Sequence, residues 1–244
     1  MIRFIIYFVL AGLIFGACVP SKKLVYLQHE DELKHLNAIP TDSVLRTHSM
    51  AIQEYRIQPL DLLSINFESI TAEEYDFFSK LNPQGNQGVG NNLLLRGILV
   101  DTEGNIEYPV VGKVYVSGLT VFEAQSKLQN LANQYLKDAV VRIRLLNFRF
   151  TVLGEVNVEK VVNAPNTRVN MMEAIGLAGG FAELADRSRV KIIRQKGNTS
   201  EIFYVNLLEE DYLRSPNYFV QQNDVIIVPP LKQRTFKKYF ASNL

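Results

Sequence analysis

Residues 139–156 read AVVRIRLLNFRFTVLGEV, and this stretch decides how the chain is divided. Apolar and polar residues alternate along it as in a β-strand, but the apolar set changes parity. Odd-numbered positions from Val141 to Leu145 are apolar, and even-numbered positions are apolar from Leu146 to Val152. Because side chains alternate between the two faces of a strand, this change predicts either a bulge or a passage from one sheet to another near Leu145.

Strand signals also precede this stretch. A turn at Pro59–Asp61 is followed by alternating apolar residues up to Phe67, which is typical of a strand. Two further runs, 93–100 and 106–116, are strand-like, and the polar residues 101–105 between them have the composition of a hairpin turn. The sequence therefore predicts that these two runs form a hairpin.

Two helices are marked by their first residues. Thr120 and Glu123 predict a capping box, and apolar residues at three- and four-residue steps continue to about residue 136. Asn170 and Glu173 repeat this pattern ahead of a short helix that ends at Gly179-Gly180. Three further strand candidates lie at 189–194, 201–207 and 218–228. This mixture of strands and helices predicts an α+β fold.

The balance of charges excludes a strongly basic nucleic-acid binder, since 26 Lys and Arg residues stand against 25 Asp and Glu residues in 244. Hydrophobic residues make up 47% of the chain, which is enough to bury a core. The single cysteine, Cys18, rules out an intrachain disulfide and a cysteine zinc cluster. No histidine follows His48, so the folded body lacks a Ser-His-Asp or Cys-His nucleophile unless a leader histidine reaches into it. We expect no catalytic, cofactor or metal site.

The N-terminus has the pattern of a secretory signal, with a positive Arg3 followed by an apolar run over Phe4–Phe15. A run of about 12 residues is too short to span a bilayer, which needs about 20. Residues 15–18, FGAC, resemble the lipobox of bacterial lipoproteins, although Phe15 replaces the usual Leu. We predict a signal peptide over 1–17 and a lipid on Cys18; the alternative is an unmodified cysteine in a plain signal peptide.

The residues after the cysteine indicate a tether. Residues 19–54 mix charged and polar residues with few apolar repeats, so we interpret 18–54 as a lipid-anchored linker. His29 and His35 lie six residues apart, a poor spacing for one helical face, and we expect both to be solvated. Val19 stands where Asp would favour retention in the inner membrane, which indicates sorting to the outer membrane.

Several segments resemble the polysaccharide export family. Residues 55–65, YRIQPLDLLSI, look like its opening motif, usually Tyr-x-Ile-x-Pro-Gly-Asp-x-Leu-x-Ile, and residues 101–113, DTEGNIEYPVVGK, are similar to the rest of that domain. Residues 150–156, FTVLGEV, and 221–228, QQNDVIIV, resemble the soluble-ligand-binding β-grasp (SLBB) domain that follows it. In this order the motifs resemble outer-membrane exporters of Wza type, particularly the compact lipoproteins of Bacteroidetes.

The resemblance implies two small mixed domains, an export domain over 55–148 and a β-grasp-like SLBB domain over 149–230. It also implies a ring-forming component of a machine that exports capsular polysaccharide or exopolysaccharide, with subunits arranged head to tail around a hydrated lumen. The implied partners are further copies of this chain, the polysaccharide, an inner-membrane polysaccharide co-polymerase or tyrosine kinase, and the outer membrane through the lipid. The resemblance implies no catalysis by this chain.

Two features depart from the family pattern. Leu60 stands where the family usually has Gly, which predicts a change in the turn and nothing else. Wza-type proteins end in an amphipathic helix that crosses the outer membrane, whereas the tail over 231–244 would rise about 21 Å as a helix, against a bilayer core of about 30 Å. We expect Phe236, Tyr239 and Phe240 to anchor this tail at the membrane interface.

Two other functions remain open. A glycan-active enzyme would need two carboxylates about 5–10 Å apart. The candidates are Glu73, Glu74 and Asp76 in one cluster and Glu209, Glu210 and Asp211 in another. Adjacent acids mostly point apart, which favours a solvated surface. The other alternative is a monomeric carbohydrate-binding lipoprotein, against which the absence of Trp weighs mildly, because sugar binders commonly stack their substrate on exposed aromatic rings.

Overall fold

The computed structural model describes residues 25–29, 44, 46–50, 54–68, 97–108, 112–135, 138, 140–197 and 199–232. These residues form two compact units. The described residues of the first unit fall within Gln53–Arg149 and Asn163–Val169, and those of the second fall within Met1–Ile52, Phe150–Val162 and Asn170–Leu244. Each unit combines strands with an α-helix, which confirms the predicted α+β class with two mixed units.

The first unit is built on a three-stranded antiparallel sheet. In chain order it contains β1 (Leu62–Glu68), β2 (Ile98–Leu99), β3 (Asn105–Tyr108), β4 (Gly112–Tyr115), α1 (Val121–Ala132) and β5 (Val140–Leu145). β1 lies between β2 and β5, and its buried residues are Leu63, Ile65 and Phe67. Each of them stands opposite an apolar residue of β5. The strand predicted after the turn at Pro59–Asp61 is therefore confirmed.

The predicted hairpin between 93–100 and 106–116 is wrong. The second run folds back on itself, because β3 pairs with β4, whereas β2 pairs with β1. The polar segment does turn, with Gly104 N donating to Asp101 O at 3.0 Å, but it joins strands of different sheets. Gly112 begins β4 with φ +76°, a conformation that favours glycine and lets the chain reverse inside an apparently continuous apolar run.

Helix α1 begins at the predicted capping box. Thr120 N donates to Glu123 Oε2 at 2.7 Å, and Glu123 N donates to Thr120 Oγ1 at 3.1 Å, so the capping role of both residues is confirmed. The helix buries Ala124, Leu128 and Ala132 in the core of the first unit. It ends at Ala132, and Tyr135 is 55% exposed, so the prediction of a buried face reaching residue 136 fails in the last turn.

The second unit contains a five-stranded mixed sheet. Its elements are β6 (Arg149–Gly154), β7 (Lys160–Asn163), α2 (Met171–Leu177), β8 (Val190–Lys196), β9 (Thr199–Val205), a 3₁₀ helix (Glu210–Arg214) and β10 (Val225–Val228). The strand order is β7-β6-β10-β8-β9, with β10 parallel to β6 and antiparallel to β8. Of the predicted strand 218–228, only Val225–Val228 forms one.

Helix α2 begins and ends as the sequence predicts. The Asn170 side chain accepts a hydrogen bond from Glu173 N at 2.9 Å, and the buried residues of the helix are Met171, Ala174 and Ile175. Gly179 and Gly180 then take positive φ, and Gly180 N donates to Ile175 O. Within the described part of the chain, no helix is both long and apolar enough to cross a membrane.

The parity change near Leu145 marks a passage between sheets. β5 belongs to the sheet of the first unit and β6 to that of the second, which settles the choice that the sequence left open. Asn147 fixes the end of β5 to β1, because its Oδ1 accepts from Leu62 N at 2.9 Å and its Nδ2 donates to Leu60 O at 3.1 Å. β6 ends at Gly154, where a Cβ atom would collide with the carbonyl oxygen of Val228.

The same aspartate turn introduces one strand in each unit. Before β1, Asp61 Oδ2 accepts from Gln58 N at 2.8 Å, and Asp61 N donates back to Gln58 O at 3.2 Å. Before β10, Asp224 Oδ2 accepts from Gln221 N at 2.8 Å, and Asp224 N donates to Gln221 O at 3.2 Å. The third residue of each turn has positive φ, which is +70° at Leu60 and +61° at Asn223. Leu60 therefore keeps the turn by adopting the conformation that glycine would take.

Candidate functional site

Part of the leader lies alongside another segment of the second unit and is joined to it by backbone hydrogen bonds. Residues 25–29 run alongside residues 207–209, with an isolated parallel bridge between Gln28 and Glu209. Leu27 N donates to Leu207 O at 3.3 Å, Gln28 N donates to Leu208 O, and Glu210 N donates to Gln28 O at 3.2 Å. Gln28 is buried, and its side-chain amide donates to Val25 O. The main chain of the leader is thus held by backbone hydrogen bonds that depend little on its side chains.

An arginine and two aromatic rings hold the same segment by its side chains. The ring centroids of Tyr26 and Phe181 lie 5.8 Å apart. The guanidinium carbon of Arg187 lies 4.7 Å from the centroid of Tyr26 and 5.3 Å from that of Phe181. Both distances are within the range of a cation–π interaction, which is worth about 0.5–2 kcal/mol according to how far it is desolvated.

A cluster of charged residues holds a later part of the leader. Glu210, in the 3₁₀ helix, accepts from Arg46 Nε at 2.7 Å and lies 3.4 Å from His48 Nε2. Arg214 Nε donates to His48 Nδ1 at 2.9 Å, so the imidazole proton resides on Nε2, facing Glu210. Burial tends to raise the pKa of Glu210, but the hydrogen bonds from Arg46 and His48 and the charge of Arg46 outweigh it, and the net pKa is lowered.

We call this surface the leader-docking site; it comprises residues 25–29, Arg46 and His48 on the leader and Phe181, Arg187, 207–210 and Arg214 on the second unit. The sequence predicts a tether here, and the structure shows that the described parts of it make specific contacts. His29 is exposed, as expected for a solvated histidine, whereas the side chain of His48 is 9% exposed. His35 lies outside the described residues.

The residues that the sequence singled out fall in different places. Cys18 lies outside the described residues, as do Glu73, Glu74 and Asp76. Within the second acidic cluster, Glu210 contacts Arg46 and His48 of the leader. Among the described residues, His, Asp and Glu form no group of three that could hold a metal ion.

The docking residues were not evident from the sequence. Arg46 and Glu210 are separated by 164 positions, and no spacing rule links a single arginine of the leader to a distant acidic segment. The signal that the sequence offers is composition, since the leader contains basic and histidine residues and 209–211 is an acidic run.

Comparison with known proteins accounts for both units. The model of the family "Polysaccharide biosynthesis/export protein" matches residues 50–146, and that of the SLBB domain matches residues 148–228. The chain is 25% identical over 138 residues to the EPS I polysaccharide export outer membrane protein EpsA of Ralstonia solanacearum, which is 55% of this chain and 36% of that protein.

The protein of the same name from Ralstonia nicotianae is 26% identical over 150 residues, which is 60% of this chain and 38% of that protein. The chain therefore matches less than two thirds of the length of either relative. Both relatives carry the name of an export protein rather than an enzyme. The chain therefore contains a polysaccharide biosynthesis/export domain followed by an SLBB domain.

Proposed function

We propose that this protein is an outer-membrane lipoprotein that forms a ring around an exported polysaccharide. The observation that carries the proposal is the succession of an export domain and an SLBB domain in a chain that is 25–26% identical to relatives named as polysaccharide export outer membrane proteins. We call the first unit the export unit and the second the SLBB unit.

The proposed lipid on Cys18 would hold the SLBB unit close to the membrane. Val25, the first described residue of the leader, follows the cysteine by seven residues. Seven residues reach at most about 25 Å even when fully extended. A free tether over the whole of 18–54 would reach several times further, so the leader-docking site supports an SLBB unit that stays near the bilayer surface.

The proposed ring acts through geometry and makes or breaks no bond. In a head-to-tail ring each subunit must present two different complementary surfaces. The export unit exposes large apolar side chains at Leu99, Tyr115 and Phe122, and the most exposed of these is Phe122 at 70%. We propose that Phe122, on the first turn of α1, contributes to the contact between neighbouring subunits.

The remaining partners are inferred from the export role. We propose that a polysaccharide chain passes through the lumen and that an inner-membrane polysaccharide co-polymerase or tyrosine kinase delivers it. The near balance of charges supports contact with the membrane through lipid rather than through a basic patch.

Complementation in the source bacterium tests this function. Deletion of the gene should remove polysaccharide from the cell surface, and the intact gene should restore it. The variant Cys18→Ser should be uncleaved or soluble, should not label with palmitate and should restore little polysaccharide. Normal surface polysaccharide in the deletion strain, or palmitate labelling of the variant, would contradict the proposal.

A further inference from the structure

The outward face of β8 and β9 carries an exposed tyrosine beside a lysine. β9 is an edge strand of the SLBB-unit sheet, and its side chains alternate between the two faces. Tyr204 points outward and is 66% exposed. The strand register sets Lys191 directly opposite Tyr204, so the two side chains share one face, with their Cβ atoms about 5 Å apart.

Arg189 immediately precedes β8, and the hydrogen bond from Leu207 N to Arg187 O at 2.9 Å continues the backbone pairing beyond Val190 and Val205, which brings Arg189 close to the end of β9 that carries Tyr204. Its Nε and Nη2 donate to Asp186 Oδ2, at 3.2 and 2.8 Å. Asp186 is itself buried, and its Oδ1 accepts from Ser188 N at 3.1 Å. The hydrogen bonds to Asp186 and the charge of its carboxylate raise the pKa of Arg189.

The bonds to Asp186 fix the guanidinium and still leave donors for a ligand. These bonds use the Nε hydrogen and one of the two Nη2 hydrogens. The two Nη1 hydrogens and the second Nη2 hydrogen can still donate to a ligand. The Arg189 side chain is 59% exposed, so a ligand in solvent can reach it. A positioned guanidinium of this kind suits the two oxygens of a carboxylate.

An ordinary solvated surface explains only part of this arrangement. Charged side chains protect edge strands from pairing with other sheets, and Lys196, which pairs with Glu201 at 3.4 Å at the other end of the hairpin, fits that role. Protection of an edge strand does not require an exposed aromatic ring beside two basic side chains. Nor does it call for a buried acid that holds one of those cations in place.

We propose that Tyr204, Arg189 and Lys191, the Tyr204 platform, bind a carboxylated sugar residue of the exported polymer. This inference rests on the proposed export function and names its substrate class. The apolar face of a sugar ring would lie on the Tyr204 ring, and its carboxylate would accept hydrogen bonds from Arg189 and Lys191. An open platform for one sugar binds weakly, with a Kd on the order of millimolar. Weak binding suits a polymer that must also be released.

Saturation-transfer NMR on the full-length protein in detergent tests the platform, because the method detects weak ligands of large assemblies. The probes are tetragalacturonate, which is carboxylated, and a neutral glucose tetrasaccharide of the same length. We expect the wild-type protein to bind the first and not the second, and addition of about 0.5 M salt to weaken that binding several-fold.

Single variants localise the binding. Tyr204→Ser should weaken binding of tetragalacturonate about tenfold, and Arg189→Lys, which keeps the charge beside Asp186 but loses the planar fork, should weaken it about fivefold. Lys191→Gln should have an effect similar to that of Arg189→Lys. The matched control is Lys196→Gln on the same strand pair, which should bind like the wild type. Thermal unfolding of each variant verifies that its fold is retained.

Equal binding of the neutral probe, no binding by the wild type, or unchanged binding in the Tyr204→Ser variant would overturn the platform. Electron micrographs of the same preparations separate this result from the proposed function. Intact rings without binding would overturn the platform alone, whereas monomers that bind tetragalacturonate would overturn the ring and leave the platform standing.

Discussion

At the scale of single residues, Leu60 shows how the turn before β1 accommodates a residue other than glycine. Its φ is +70° and its side chain is 62% exposed, so it buries little surface. Replacement by glycine removes a steric cost of about 1–2 kcal/mol and adds roughly 0.5–1 kcal/mol of backbone entropy to be lost on folding. We expect Leu60→Gly to stabilise the export unit by about 0.5–1 kcal/mol in urea unfolding.

The equivalent turn in the SLBB unit provides the matched control. Asn223 has φ +61°, but asparagine tolerates this conformation better than leucine does. Asn223→Gly should therefore change stability less than Leu60→Gly. A loss of stability in Leu60→Gly would show that the leucine side chain contributes more than its exposure indicates.

The ionisation of Asp61 should make the stability of the export unit depend on pH. Burial raises the pKa of Asp61 above its usual value, and hydrogen bonds from Gln58 N and the Tyr55 hydroxyl offset only part of this effect. Because the folded pKa is the higher one, the contribution of Asp61 is complete below its unfolded pKa of about 3.9 and is lost as pH rises through the folded pKa.

The variant Asp61→Asn isolates this effect, because the amide has the same shape and does not titrate. We expect the difference in unfolding free energy between wild type and variant to shrink as pH rises from about 4 to about 7. Urea unfolding at a series of pH values measures it. A difference that grows with pH would mean that the carboxylate is stabilised by its partners rather than penalised by burial.

At the scale of elements, the attachment of the leader at Arg46 and His48 depends on one acid. Glu210 contacts both Arg46 and His48, and its pKa is lowered in the folded state. A lowered folded pKa means that the contribution of Glu210 is present above its unfolded pKa of about 4.3 and is lost as pH falls through the folded value. The second attachment of the leader should therefore weaken in acid.

The variant Glu210→Gln should release Arg46 and His48 at neutral pH while residues 25–29 stay in place through their backbone bonds. Hydrogen exchange at residues 46–48 should rise about tenfold or more, since the acid contacts both Arg46 and His48. Glu209→Gln is the control, because Glu209 is exposed and contributes a backbone bridge. Equal protection in wild type and Glu210→Gln would show that the ion pairs do not hold the leader.

Local patterns predicted the elements better than their partners. The capping box at Thr120 and the parity change at Leu145 are local features. The capping box predicts only the start of a helix, and the parity change predicts either a bulge or a passage between sheets. The hairpin prediction failed because pairing depends on distant strands, and Gly112 reverses the chain inside an apolar run. The leader-docking site joins Arg46 to a residue 164 positions away, so no local pattern could reveal it. The Tyr204 platform likewise depends on the register of β8 against β9.

At the scale of the whole molecule, function would depend on how copies associate. Phe122 is 70% exposed on the first turn of α1, whose opposite side is buried in the core of the export unit. Phe122→Ser should leave that core intact and remove apolar surface from the proposed contact. We expect a normal unfolding transition with fewer or smaller assemblies in detergent. The control is Tyr135→Ser, also on an exposed aromatic residue of the export unit but beyond the end of the helix.

Closure of a ring by identical subunits is the property on which the proposed function depends. Electron microscopy of the full-length protein, extracted from membranes in mild detergent, shows whether such rings form. We expect closed rings of one size with a central opening, and we expect their loss in Phe122→Ser while Tyr135→Ser retains them. Uniform monomers from the wild-type membranes, at a concentration where the protein is folded and carries its lipid, would rule out the ring.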